Sequence, residues 1–159
     1  MADFIKAYEP MIVDEGGYVL HEVAGDRGGA TYAGIARRMN PDWEGWKLLD
    51  RGVTPPVEAV RAWYHANYWL PLSGDNLVSQ KIASSIFNFA VNSSSPGNPT
   101  VAVKLAQLVV GATPDGVVGS RTVAALNAYP EDRFVLAYAL VKIARYRDIV
   151  TRDRTQAKF

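Results

Sequence analysis

Glu15, Asp26 and Thr31 are the residues of this sequence whose types and spacing suit one reaction. Glu15 closes a stretch in which Phe4, Tyr8, Met11 and Ile12 recur at helical spacing. At 100° per residue it falls within about 20° of both Phe4 and Tyr8. Its carboxyl group is therefore expected on the buried stripe. Asp26 lies in the glycine-dense turn Gly25-Asp26-Arg27-Gly28-Gly29, open to water. A desolvated carboxyl keeps its proton and a solvated one stays ionised, which is how two carboxylates divide into acid and base. Breaking a glycosidic bond uses that division: a proton for the leaving oxygen, and a second group to manage the opposite face of the sugar. Thr31 is expected to hold a water molecule for Asp26. A second reading of Glu15 is an internal cap or salt bridge, and on position alone the two readings are even. Equally, a glycine-rich turn with one carboxylate can be a turn and nothing more.

These side chains need elements to place them. Asp3 is expected to cap a helix running to about Glu15, stopped by Gly16-Gly17, with Pro10 kinking or splitting its first part. Residues 18–20 and 31–33 read as two short strands around the glycine turn. Ile35, Ala36 and Met39 suggest a short helix ended by Asn40-Pro41. Trp43 and Trp46 suggest another, closed by Gly52. Thr54-Pro55-Pro56 starts a helix to about Tyr68, with Thr54 as cap. The rings of Trp63, Tyr64, Tyr68 and Trp69 read first as core packing, with some available to stack on a pyranose face. Leu77, Ile82, Ile86, Phe87, Ala90 and Val91 give a broad apolar band, that of a central buried helix. Asn88 and Asn92 share one face of it and either look into a cleft or bond a neighbouring loop. With Tyr18 and Tyr32, beside the glycine turn, they are the candidate substrate-binding residues.

The loop Ser93-Ser94-Ser95-Pro96-Gly97-Asn98-Pro99 marks a boundary, giving a catalytic lobe over 1–92 and a C-terminal helical lobe over 93–159. Further helices are expected from Val101 to Gly111, from Ser120 to Ala128, and onward from Pro130. Six or seven helices against one hairpin make a mainly α protein, or α+β with a very small sheet near the site.

The rest of the inventory narrows the chemistry. The chain has 159 residues, a hydrophobic fraction of 48% and a charged fraction of 21%, so it is globular with a substantial core. A net charge of +1 implies no nucleic-acid partner. The arginines from Arg145 to Arg154 read as a solvated helix face. With two histidines and no cysteine, a zinc hydrolase lacks its ligands, and no metal or other cofactor is expected, a carboxylate-only metal site being the alternative left open. No Gly-x-Ser-x-Gly elbow is present, and Asp115-Gly116 lacks the acidic spacing of a calcium loop and reads as a turn. The N-terminus reads as lacking a signal peptide, so a wall-acting protein made in the bacterial cytoplasm would need release or export.

Glu15-Gly16-Gly17-Tyr18 followed by Asp26-Arg27-Gly28-Gly29-Ala30-Thr31-Tyr32-Ala33-Gly34-Ile35 resembles the signature of glycoside hydrolase family 108. Tyr68-Trp69-Leu70-Pro71-Leu72 and Phe87-Asn88-Phe89-Ala90-Val91-Asn92 are also similar to family segments. Asp115-Gly116-Val117-Val118-Gly119 with Thr122 resembles its C-terminal peptidoglycan-domain segment. The resemblance implies a lysozyme-like, two-lobed, mostly helical fold. It implies an N-acetylmuramidase, as in phage endolysins and bacterial murein hydrolases, that cleaves the β-1,4 bond after N-acetylmuramic acid, with peptidoglycan glycan strands as partner. The family's catalytic glutamate, aspartate and threonine fall on Glu15, Asp26 and Thr31. A monomer is expected. A lytic transglycosylase using the same glutamate and a non-catalytic wall-binding or secretion-assisting module remain the alternatives.

Overall fold

A computed structural model describes residues 1–21 and 29–153 of the chain. Its first helix, α1 (Phe4–Asp14), starts where the Asp3 carboxylate accepts the Ile5 N–H at 2.8 Å. It ends in a Schellman motif. The Gly17 N–H reaches the Ile12 carbonyl at 2.8 Å, and the Gly16 N–H reaches that of Val13 at 3.0 Å. Both glycines have positive φ, 86° and 74°, the left-handed conformation this stop requires. Ala7, Tyr8, Met11 and Ile12 form the buried stripe. The helix is not split at Pro10: α1 is continuous through it. Pro10 and Lys6, whose carbonyl loses the i+4 N–H as partner, are both exposed residues.

The small sheet has three strands: β1 (Leu20–His21), β2 (Thr31–Tyr32) and β3 (Ile35–Ala36), antiparallel in that order. Leu20 pairs with Tyr32 and Tyr32 with Ile35. The helix expected over Ile35, Ala36 and Met39 is instead β3 and the turns after it. Ala33 and Gly34 both take positive φ, 50° and 76°. That is the two-residue hairpin turn whose twist matches its strands, and it returns the chain at Ile35 as a strand.

After α2 (Gly45–Leu49), α3 (Val57–Tyr64) begins behind Pro56 rather than at Thr54. A residue before proline is driven extended, so the helix starts only after the second proline. α3 runs directly into a π-helical turn, His65–Trp69. A short 3₁₀ turn, Gly74–Asn76, leads to α4 (Gln80–Ser93), capped by the Ser79 hydroxyl on the Ile82 N–H at 3.1 Å.

The central position expected for α4 is observed. It packs against α1, α5 (Thr100–Val110) and α7 (Glu131–Arg152), with α6 (Ser120–Ala128) beside α5. Phe87, fully buried, meets Phe4 and Trp69 at ring distances of 5.9 and 5.8 Å. On the C-terminal side Phe89 meets Tyr138 edge to face at 5.9 Å. Polar contacts tie the same pieces together. Gln80 both accepts from the Asp3 N–H and donates to the Asp3 carbonyl. Asn127 accepts from the Val78 N–H and donates to the Asn76 carbonyl, while Ser79 donates to Glu131. The molecule is mainly α with one small sheet, as expected. Phe87→Ala should cost about 3–5 kcal/mol, the penalty for emptying a closed ring site, read as a lowered midpoint in urea with an unchanged slope.

Candidate active site

Glu15 is the C-cap of α1. The Schellman stop turns the chain immediately after it, so its side chain remains on the helix's inner stripe while the backbone leaves. The hairpin turn between β2 and β3 lies against this side chain. A methyl carbon built on Gly34 would sit 2.4 Å from the Tyr64 hydroxyl oxygen, 2.9 Å from Glu15 Oε2 and 3.3 Å from Glu15 Cβ. Only glycine fits there. The Tyr64 hydroxyl donates to the Ala33 carbonyl at 2.9 Å, fully inside the protein. So the turn, the phenol and the carboxyl group meet at one place.

The electrostatics follow from this packing. Glu15 is half-buried, and loss of water raises its pKa above the ordinary 4.5, with the Asp14 carboxylate adding to the rise. The C-terminal end of α1 also presents partial negative charge, which disfavours a second anion. Burial pushes Tyr68 up to about 12 and Tyr64 higher still, and the Glu15 charge contributes to both. The phenols around Glu15 therefore remain neutral at any working pH, and the carboxyl is the group that titrates.

The other sequence candidates are distributed unevenly. Tyr18 is half-buried, its hydroxyl 3.0 Å from that of the buried Tyr8. Thr31 is half-buried on the central strand, opposite His21 and Ala36. Tyr32 is buried, its ring stacked on Trp43 at 6.0 Å and its hydroxyl enclosed without a hydrogen-bond partner among the described residues. Its face is therefore taken by packing. Asp26 lies outside the described residues. Asn88 and Asn92 share a face of α4 as expected, but Asn92 donates to the Asn88 carbonyl at 2.9 Å. Asn92 borders a small hollow with Ser94, Arg145 and Tyr146 at the far end of α4.

A groove of about 1100 Å³ lies between the 39–51 segment and α3. Its walls include Pro41, Trp43, Pro56, Trp63, Asn67 and Pro96, and Glu15 is not among the described residues that line it. One ring layer separates the two. Trp63 faces the groove and packs edge-on to Tyr64 at 4.9 Å and to Tyr68 at 5.9 Å. Volume alone would place the chemistry in this groove. The half-buried Glu15 carboxyl, whose pKa burial raises, lies instead against the Gly34 turn.

With this geometry established, comparison with known proteins assigns the lineage. The family model described as "Glycosyl hydrolase 108" matches residues 8–94, more than half of the chain. The chain belongs to glycosyl hydrolase family 108. A second family model, described as "Predicted Peptidoglycan domain", matches residues 101–159 of this family 108 chain. Its fold is similar to that of Brucella abortus SagA, with a TM-score of 0.66 and 31% sequence identity over 97% of this chain and 92% of that one. Among proteins of curated function, none matches the family 108 chain significantly. It is a glycoside hydrolase joined to a peptidoglycan domain, hence a peptidoglycan hydrolase.

Sequence reasoning gave Gly34 no role of its own and read Tyr64 as core packing or a ring for sugar stacking, not as the partner of the turn over Glu15. The available signal was Ala33-Gly34 between Tyr32 and Ile35, a weak form of the hairpin pair usually written Asn-Gly.

The raised pKa of Glu15 has a thermodynamic consequence. In the wild type, the stability associated with this group is fully present below pH 4.5 and is lost as pH rises through the higher folded value. A glutamine never ionises. Glu15→Gln should therefore match the wild type in stability at pH 4 and exceed it at pH 8, measured by thermal unfolding at both pH values.

Proposed function

We propose that this peptidoglycan hydrolase is an N-acetylmuramidase of endolysin type, cleaving the β-1,4 bond between N-acetylmuramic acid and N-acetylglucosamine with Glu15 as general acid. The observation that carries the reading is the Glu15 carboxyl group, half-buried at the end of α1 against the backbone of Gly34, where burial favours the protonated form. Protonation of the leaving oxygen requires such a form at neutral pH. Asp26, assisted by Thr31, would orient water or stabilise charge on the opposite face of the sugar. Tyr18, and less directly Tyr32, Asn88 and Asn92, would serve the substrate side.

The strand would continue from Glu15 past the Trp63 wall into the groove, where indole and proline faces can cover pyranose rings. In this reading residues 1–92 carry the catalytic lobe and 93–159 the wall-directed lobe. The protein acts as a monomer, made in the bacterial cytoplasm and reaching the wall in the periplasm by release or export, as a phage endolysin would.

Purified murein and mass spectrometry of the soluble products test the reaction. Muropeptides with reducing N-acetylmuramic acid ends are expected. Anhydro-muramyl ends would replace hydrolysis with transglycosylation, and murein capture without soluble products would remove the catalytic reading. Glu15→Gln should remain folded and lose at least ~10²-fold in rate. Trp63→Ala should instead raise KM about tenfold, roughly 1.4 kcal/mol of uniform binding, with little change in kcat.

A further inference from the structure

Tyr64 has an arrangement that the reaction scheme above does not use. Its ring is 1% exposed, and its hydroxyl hydrogen is committed to the Ala33 carbonyl at 2.9 Å. Ala33 is held at φ 50°, a conformation that a residue with a side chain adopts reluctantly. Gly34 follows at φ 76° and lies directly on the Glu15 side chain. The Tyr64 oxygen and Glu15 Oε2 lie 2.4 and 2.9 Å from the same point, the position where Gly34 would carry Cβ.

A phenol has one hydrogen to donate and lone pairs to accept with. Because that hydrogen is spent on Ala33, Tyr64 fixes the turn to α3. The turn it holds lies directly on the Glu15 side chain and covers the carboxyl from that side. We infer that Tyr64 is a positioning residue: through its bond to the Ala33 carbonyl it clasps the β2–β3 turn down over Glu15 and so keeps water from the carboxyl. The inference rests on Glu15 being the general acid, and it assigns Tyr64 the task of keeping that acid loaded between turnovers.

Other groups around Glu15 are accounted for among the described residues. Asp14 stands beside it on its own helix and works in the same direction. Tyr68, on the π-helical turn, also feels the Glu15 charge, and its pKa is raised mainly by burial. His21 of β1 lies 3.9 Å from where Gly16 would carry Cβ, on the chain just beyond Glu15. Of these, Tyr64 is the group tied by a hydrogen bond to the turn that covers the carboxyl.

The test is a carbon-13 NMR titration of the Glu15 side-chain carboxyl, which needs no catalysis and so stands apart from the murein assay. Tyr138→Phe supplies the matched control. Tyr138 is equally buried, and its hydroxyl likewise donates to a backbone carbonyl, that of Ala102 at 3.0 Å, in the C-terminal part of the fold. Tyr64→Phe should move the Glu15 midpoint to lower pH and carry the alkaline limb of kcat/KM with it. Tyr138→Phe should lower thermal stability comparably and leave the Glu15 midpoint in place. An unchanged or raised midpoint in Tyr64→Phe, or equal shifts in both variants, overturns the inference. If Tyr64→Phe does not fold, the wild type decides: the Tyr64 Cζ resonance should inflect at the Glu15 midpoint, and a flat trace there rejects the assignment.

Discussion

A carboxyl group covered by backbone and phenols, and denied water on that side, is the constraint around which the N-terminal part of this protein is built. Ionising such a group costs free energy that water would otherwise return, so its pKa rises. Three separate pieces of chain create that condition at Glu15. The Gly16-Gly17 stop keeps the side chain on the inner face of α1. The Ala33-Gly34 turn supplies backbone thin enough to lie on it. α3 and its π-helical extension bring Tyr64 and Tyr68 to the remaining side. Removing any one of the three would admit solvent or move the carboxyl.

The aromatic layer behind this site has two functions at once. Phe4, Tyr8, Tyr64, Tyr68 and Trp69 pack with one another and with Phe87 at edge-to-face, tilted and, for Tyr64 with Tyr68, stacked angles, which favour ring pairs beyond their buried area. The same layer forms the low-dielectric wall of the acid and, through Trp63, one wall of the large groove. Stability and acidity are therefore not independent at these positions.

Much of this was readable in the chain. The 3.6-residue recurrence of Phe4, Tyr8, Met11 and Ile12, stopped by two glycines, placed Glu15 correctly because both signals are local. The breadth of the α4 apolar band identified the central helix for the same reason. β3 was missed because two-residue strands leave no alternation to detect, and Ile35-Ala36-Met39 imitates helical spacing. The partnership of Tyr64 with Ala33 spans 31 positions, and nothing within either segment announces the other. Asn92 turned to the carbonyl one turn back along its own helix, a competitor that asparagine always carries.

The two family segments do not behave as separable modules. Phe89, from the first, is enclosed by Tyr138 and Tyr146 from the second, and Lys142 lies over the Phe89 and Tyr138 rings. Asn127, Glu131 and Asp132 of the second segment bind the approach to α4 and its first turn. A chimera that joined this N-terminal half to a foreign wall-recognition half would expose one greasy flank of its own central helix. A replacement half would have to bring rings of its own to cover Phe89 on that flank.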